Sequence, residues 1–434
     1  MSEWKRYRLE EVCESIVDCV NRTAPKVDYK TPFKMIRTTN VKNGRIDLDS
    51  VFYVTEEIYD KWTRRLVPKI DDVILTREAP LGEVGIIRSN EKVFLGQRLM
   101  HYRANKELLD PYFLYYSLQS PLLQQQIHSS SMGSTVSHIR VPDAMKFELL
   151  LPPLNIQQSI STILKSIDDK IEINHKMNQT LEQMAITLYK HWFVDFGPFQ
   201  DGEFVESEFG MIPKGWKYVS LGDLVSETLG GDWGKESLVN DFVNEVHCIR
   251  GTDIPNLKNG LLGAIPSRFL KGTSVEKRAL NEGEIVLEKS GGSPTQSTGR
   301  SLLVTNSLLQ KLEKPLVYTN FCIRIKAKEI EFSTLLYLEL SRLYEDDIFF
   351  SIENGTTGIK NLNIKSLFDE FKVCLPPKSI LKDFNEKAIR YFELIHKNGF
   401  EIQSLEKTRN YLLPRLLTGE IDATKVEKQV EEVL

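Results

Sequence analysis

Leu151-Pro152-Pro153 opens a run in which Ile160, Ile167, Asn174, Leu181 and Leu188 fall seven residues apart, with Leu164, Ile171, Asn178, Ala185 and Trp192 on the next row. Two such rows make an a/d seam, the pattern of a long helix that packs lengthwise on another helix. The proline pair marks the start, because proline is tolerated in a first helical turn and costs far more later. At about 1.5 Å per residue, Ile160 to Trp192 makes a rod of roughly 50 Å.

The pattern returns near the other end. After Leu375-Pro376-Pro377 the rows read Phe384, Tyr391, Asn398, Leu405, Leu412 and Ala388, Ile395, Ile402, Arg409, Leu416. Each lies 224 positions after its counterpart (Pro376 minus Pro152, Leu405 minus Leu181), a whole number of heptads. Matched length, a shared Pro-Pro start and a kept register predict a helix pair rather than two ordinary amphipathic core helices. The pairing is assigned to Ile160, Leu164, Ile167, Ile171, Asn178, Leu181 and Leu188 on one side, and to Ile395, Asn398, Ile402, Leu405 and Leu412 on the other. Gly399 and Pro414 should be local costs, about 1 and 3 kcal/mol in an exposed helix interior, with a fray or kink at Pro414. An antiparallel pair, centred near Lys176 and Phe400, makes Asn178 face Asn398. A buried Asn pair costs stability and fixes register; two solvated asparagines are the alternative.

A chain of 434 residues exceeds what one hydrophobic core fills, so two domains are expected. Cys13, Cys19, Cys248, Cys322 and Cys374 are odd in number and lack Cys-x-x-Cys, which suggests neither a disulfide framework nor a zinc site and fits a reducing cytoplasm. Met1 to Lys5 shows no apolar signal run, and no stretch approaches the ~18 apolar residues of a membrane span. The net charge of -4 matters because proteins that grip nucleic acid through phosphates alone are usually basic. Binding to DNA would therefore need locally segregated charge or a partner.

A second repeat lies between the helices. Trp4-Lys5-x-x-x-Leu9 matches Trp216-Lys217-x-x-x-Leu221, Ile36-Arg37-Thr38-Thr39-Asn40-Val41 matches Ile249-Arg250-Gly251-Thr252-Asp253-Ile254, and Asp72-Val73-Ile74-Leu75 matches Glu284-Ile285-Val286-Leu287, at offsets of 212 or 213. Gly133-Ser134-Thr135 matches Gly355-Thr356-Thr357 at 222, so about ten residues are inserted late in the second copy. One unit, a globular module followed by a long helix, occurs twice. Short strands are expected at Asp72 to Thr76, Gly85 to Arg88, Gln97 to Arg103, Asn320 to Lys326 and Phe371 to Leu375. Helices are expected at Pro111 to Gln126 and Ser333 to Tyr344, and Gly197 to Trp216 reads as a linker. The fold class is α+β with mostly antiparallel sheet: two similar globular domains, 1–150 and 198–374, alternate with helical regions 151–197 and 375–434.

These residues carry a family resemblance. Leu150-Leu151-Pro152-Pro153, the close at Leu188-Tyr189-Lys190-His191-Trp192-Phe193-Val194-Asp195-Phe196-Gly197-Pro198-Phe199, the entry Gly210-Met211-Ile212-Pro213-Lys214-Gly215-Trp216, and Leu412-Leu413-Pro414-Arg415-Leu416-Leu417-Thr418-Gly419-Glu420-Ile421 resemble the specificity subunit (S subunit, HsdS) of type I restriction-modification systems. The resemblance covers essentially the whole chain. It implies two target-recognition domains, each reading one half of a split double-stranded DNA target, and two long helices paired as an antiparallel coiled coil. It also implies two methyltransferase subunits docked on the helical regions and a translocating nuclease subunit. S-adenosylmethionine, ATP and magnesium would belong to those partners, with no cofactor in this chain.

No catalytic constellation is present in the sequence. A Gly-x-x-x-x-Gly-Lys-Ser/Thr loop is missing, which argues against ATP hydrolysis here. An amino-methyltransferase needs a glycine-rich cofactor loop and an Asn/Asp-Pro-Pro-aromatic tetrad, whereas both Pro-Pro pairs follow leucine. No histidine spacing suggests a metal site. Recognition is left, and DNA readout needs donors that reach base edges. The first module offers Lys42, Asn43, Arg64, Arg65, Thr76, Arg77, Gln97, Arg98, Ser134, Thr135, Ser137, His138 and Arg140. The second offers Arg250, Lys277, Arg278, Lys289, Ser290, Gln296, Arg300, Lys360 and Asn361. Singly, each is as well explained by a solvated surface; as sets on duplicated modules they are the DNA-binding candidates. A duplicated coiled-coil adaptor that binds proteins is the rival reading, told apart by whether each module has a basic face.

Overall fold

The computed structural model describes residues 4–130, 138–293, 295–355 and 359–426. The chain forms two compact units, residues 1–170 with 405–434, and residues 171–404. Two helices of forty residues, Leu154–Phe193 and Lys378–Leu417, each give one segment to each unit. The proline pairs stand just before the helices rather than in their first turns. Proline has no N–H to give but keeps its carbonyl: Pro153 accepts from the amides of Ile156 and Gln157, and Pro377 from those of Ile380 and Leu381.

In the second unit the helix segments run antiparallel. Asn174 donates to Glu401 at 2.8 Å, Asn398 donates to Asn178 at 2.9 Å, and Phe193 meets the ring of Phe384 edge-on at 4.6 Å, so rising numbers on one helix meet falling numbers on the other. Asn178 is 2% exposed, and its amide donates to the Ile395 carbonyl at 3.1 Å and the Asn259 carbonyl at 3.3 Å. The side chain of buried Asn178 thus both donates and accepts, the condition under which a polar seam residue specifies register. In the first unit Ile160, Leu164 and Ile167 are buried, and Arg409 on the seam row finds Asp168 at 2.8 Å. Tyr116 donates to the other Asp168 oxygen, so the charge pair is closed from the module side.

Two expectations about the second helix are corrected. The helix does not fray at Pro414 but continues to Leu417, so of the fray-or-kink expectation only the fray is overturned. Gly399 is required, not merely tolerated: a Cβ at that position would lie 2.0 Å from the Asn259 carbonyl oxygen and 2.6 Å from the Gly260 Cα. The turn after Leu257 presses its backbone onto the helix, and His396 fixes it by a 3.0 Å hydrogen bond to the Leu257 carbonyl and a 2.5 Å bond with Thr305. Since a carbonyl can only accept, Nε2 carries a proton. Burial pushes its pKa down to about 4.

The two modules share their principal sheets. In the first, an antiparallel sheet runs in the order Cys13–Asp18, Leu99–Ala104, Val73–Arg77, Leu81–Ile86; in the second the order is Val225–Gly230, Cys322–Ala327, Ile285–Glu288, Ser301–Leu303. Each module adds a three-stranded sheet whose central strand, Phe33–Ile36 or Asn244–Ile249, has one antiparallel and one parallel neighbour. Each is closed by an antiparallel pair joining its two ends, Lys5–Arg8 with Glu148–Leu151 and Lys217–Ser220 with Lys372–Leu375. Even a buried charge pair recurs. His101 stands opposite Ile74 and bonds Asp72 at 2.6 Å, while Arg324 stands opposite Val286 with its Nε 3.5 Å from Glu284.

The late insertion falls in two places. Val73 and its partner Ile86 lie thirteen positions apart, against eighteen for Ile285 and Leu303; Ile86 and Leu95 lie nine positions apart, against fifteen for Leu303 and Tyr318. The first excess enlarges the loop after Glu288, and the second holds the short helix Asn306–Gln310. Pro111 to Gln126 is two helices, Pro111–Gln119 and Pro121–Ser129, because Pro121 cannot donate to the preceding turn and Ser120 caps the new start by accepting from Leu123. The linker after Gly197 contains an antiparallel hairpin, Phe204–Ser207 with Gly210–Pro213. Among the described residues no helix is long and apolar enough to cross a membrane, and none groups into a metal-binding cluster.

Candidate nucleic-acid interface

Strand register decides which candidate side chains meet. In the first module Met100 pairs with both Asp18 and Leu75, and Leu99 with Thr76, so Asp18, Arg77 and Arg98 lie at one end of the four-stranded sheet. The Arg77 amide donates to the Arg98 carbonyl at 2.8 Å. Arg98, with φ at 69°, turns its guanidinium to 3.5 Å from Glu78, and His138 Nδ1 lies 3.4 Å from the other Glu78 oxygen. Arg65 joins the group through an ion pair with Asp18. Arg77 reaches the Met100 sulfur at 3.9 Å, and its buried Nε has no hydrogen-bond partner among the described residues. Gln97 accepts from Thr23 beside this cluster.

Other first-module candidates sit apart from that group. Lys42 and Asn43 form an exposed turn, anchored by the Asn43 amide on Glu83 at 2.8 Å. Arg64 is exposed at the end of the helix Glu56–Thr63, and Arg140 is exposed with Asp143 at 3.6 Å. Thr76 is a correction: it is fully buried, and its hydroxyl accepts from the Glu83 amide, so it shapes the hairpin rather than facing outward. Ser134, Thr135 and Ser137 lie outside the described residues.

The same sheet end in the second module carries a fuller set. Arg278 donates to the Gly230 carbonyl at the end of Val225–Gly230, and the Lys277 carbonyl accepts from Arg324 while its side chain is exposed. Arg300 forks onto Glu288 with bonds of 2.8 and 2.5 Å. Lys360 pairs with Glu353 at 2.9 Å, and Gln296 donates to the Tyr344 hydroxyl at 3.0 Å. Lys289 is half-buried, with its amide on the Phe321 carbonyl. Ser290 is corrected in the same way as Thr76: it is buried, and its hydroxyl holds Asn361 at 2.5 Å, so Asn361 is the member that faces solvent.

Arg250 belongs to a different class. Its guanidinium grips Asp253 at 3.0 and 2.8 Å, just as Arg37 in the first module bonds Asn40 at 3.3 Å and the Ser50 carbonyl at 2.8 Å. The duplicated Ile-Arg motif therefore braces a turn in both modules. Reading for cations and amides misses the carboxylates among them: Glu288 and Glu353 orient Arg300 and Lys360, and Glu78 lies loosely between Arg98 and His138. Their signal in the sequence was weak, because a Glu beside an Arg is equally ordinary on any surface. The charge is also uneven, with 22 basic and 20 acidic residues in 1–150 but 20 and 25 in 198–374.

Comparison with known proteins agrees with this architecture. Residues 1–183 match the family model described as "Type I restriction modification DNA specificity domain". The chain is 28% identical to the type I restriction enzyme MjaIX specificity subunit of Methanocaldococcus jannaschii over 380 residues, 85% of this chain and 81% of that protein. It is 25% identical to the HindI specificity subunit of Haemophilus influenzae, over 97% of this chain and all of that one. The fold is similar to the crystal structure of a type I S subunit from M. genitalium, with a TM-score of 0.60 at 15% identity over 96% of both chains. With its duplicated module-and-helix plan, the chain is similar along most of its length to specificity subunits of type I restriction-modification systems.

Proposed function

We propose that this chain reads a bipartite double-stranded DNA target, one module per half-site, and scaffolds the subunits that carry out the chemistry. The observation that supports this most is the duplication of the principal sheets, with donors gathered at the same end of the four-stranded sheet in both copies. The DNA contacts are assigned to the candidates that reach solvent there: Arg65, Arg77, Gln97, Arg98 and His138 in the first module, and Arg278, Lys289, Gln296, Arg300, Lys360 and Asn361 in the second. The chain itself catalyses nothing. S-adenosylmethionine, ATP and magnesium belong to two methyltransferase subunits and a translocating nuclease, acting with it in the cytoplasm.

Two features favour dependence on those partners. The second module is acidic overall, so phosphate neutralisation must come largely from elsewhere. Ile173, Met177 and Met184 leave an apolar stripe on the first long helix, at 53%, 44% and 44% exposure, which suits a docked subunit. The test is selection from randomised DNA by the chain alone and by the complex co-expressed with its methyltransferase. The complex should select two sequence blocks at fixed spacing, and the chain alone should bind weakly. One contiguous block, or tight specific binding by the isolated chain at physiological salt, contradicts the proposal.

A further inference from the structure

Arg300 is held differently from every other cation at the two sheet ends. Its Nε and Nη2 both bond Glu288, at 2.8 and 2.5 Å, and its carbonyl accepts from the Glu288 amide at 2.9 Å. The Glu288 side chain is 3% exposed and that of Arg300 is 18%. Two glycines seal the acid in place: a Cβ on Gly251 would lie 2.2 Å from Glu288 Oε1, and one on Gly291 2.5 Å. Both the acid and the base are therefore immobile before any ligand arrives.

A side-on fork uses the Nε edge of the guanidinium and leaves the opposite edge. Nη1 has no hydrogen-bond partner among the described residues, so Nη1 and the outer N–H of Nη2 remain as two parallel donors. In the major groove, guanine presents O6 and N7, two acceptors spaced to take such a pair, and no other base offers two acceptors there. A lysine or an unbraced arginine could serve a phosphate equally well. Rigid bracing gains little at a phosphate but confers direction at a base edge, where geometry carries the discrimination.

We infer that Arg300, oriented by buried Glu288, reads a guanine in the half-site contacted by the second module. The inference rests on the DNA-reading proposal above and adds a base and a residue to it. Glu288 is a positioning residue, acting through Arg300. The first module has no counterpart, because the strand position that pairs with Leu99 there is Thr76, where Glu288 pairs with Cys322 in the second. Arg98 lies 3.5 Å from Glu78, which is too loose a contact to fix its orientation.

The experiment compares the co-expressed complex carrying wild-type chain, R300K or E288Q on a DNA library randomised through both half-sites. Lysine at 300 keeps the charge and can still pair with Glu288, so it guards against simple misfolding. Both variants should lose preference at one G·C pair of one half-site by roughly 5- to 150-fold, with the remaining positions and the other half-site intact. Uniform weakening across all sequences, with a shallower salt dependence, would assign Arg300 to a phosphate and overturn the inference. Unchanged preference would overturn it too, as would loss of the whole half-site in both variants, which would make the pair a structural brace. A wild-type complex with no sequence preference would instead overturn the DNA-reading proposal itself.

Discussion

The two modules share a strand plan, and one of the places where they part company is a corner of the four-stranded sheet. Between paired sheet strands the first turns through Glu78-Ala79-Pro80, and the second takes the long way from Lys289 to Arg300, yet the register on either side is the same. The difference teaches where a duplicated fold can change. Strands buried on both faces, such as Val73 to Thr76 and Ile285 to Glu288, tolerate little, whereas a loop at the sheet end can lengthen at small entropic cost. The same corner carries most of the donors assigned to DNA, so one of the two insertions falls in the part that would read sequence.

The buried charge pairs give the largest test of how alike the modules are. Asp72 accepts from His101 and twice from Arg103; burial opposes its charge, yet those bonds hold its carboxyl down to about 2. Glu284 Oε1 and Arg324 Nε make no hydrogen bond, and Arg324 keeps Glu227 at 2.7 Å and the Lys277 carbonyl. Asp72→Ala should cost about 3–5 kcal/mol because it leaves the half-buried Arg103 guanidinium and the buried His101 ring without their shared partner, and Glu284→Ala distinctly less. Hydrogen exchange under mild denaturant, which reads each unit separately, measures both. Equal costs would mean that the two pairs are equivalent despite their geometry.

A smaller contrast is the response to acid. His396 has a pKa of about 4 in the fold against 6.5 for a free imidazole, so above pH 6.5 it is neutral folded or unfolded and the pH dependence is flat. As pH falls from 6.5 to 4 the unfolded chain takes up a proton that the fold refuses, and the second unit should lose up to about 3 kcal/mol. The position related by the repeat in the first helix, 224 residues earlier, is Glu172, so the duplication does not repeat this histidine. His396→Gln should flatten the second unit's profile over that window. An unchanged profile would show that the acid response arises elsewhere.

The smallest effect is at Gly399, whose repeat-related position is His175. Gly→Ala in an exposed helix interior gains about 1 kcal/mol. Here the new methyl meets the Asn259 and Gly260 backbone, and the change should instead cost about 1–3 kcal/mol, read by the same exchange measurement. A stabilised second unit would mean that the turn can withdraw from the helix.

Gly399 also marks the limit of what the sequence discloses. The seam was legible because heptads are local and periodic, and Asn178 stood out as a polar residue in an apolar row. The reason for Gly399 lies at Asn259, far along the chain, and no periodicity reports a single close approach. The module repeat was legible from Asp72-Val73-Ile74-Leu75 and its echo, because strands buried on both faces keep apolar runs. The site was legible only as a list of donors. Thr76 and Ser290 look like exposed hydroxyls until strand register buries them, and Glu288 looks like any surface acid until Gly251 and Gly291 close over it.

One measurement bears most directly on the central claim that each module reads its own half-site. Residues 1–150 are exchanged for the first module of a relative with a different target, and the complex is profiled on randomised DNA. Gln157 and Asp168 must be matched to the incoming module, since they bond the backbone of Asp110 and the hydroxyl of Tyr116 across that junction. The account predicts that one sequence block changes to that of the donor while the other block is untouched. A change in both blocks, or in neither, would contradict it.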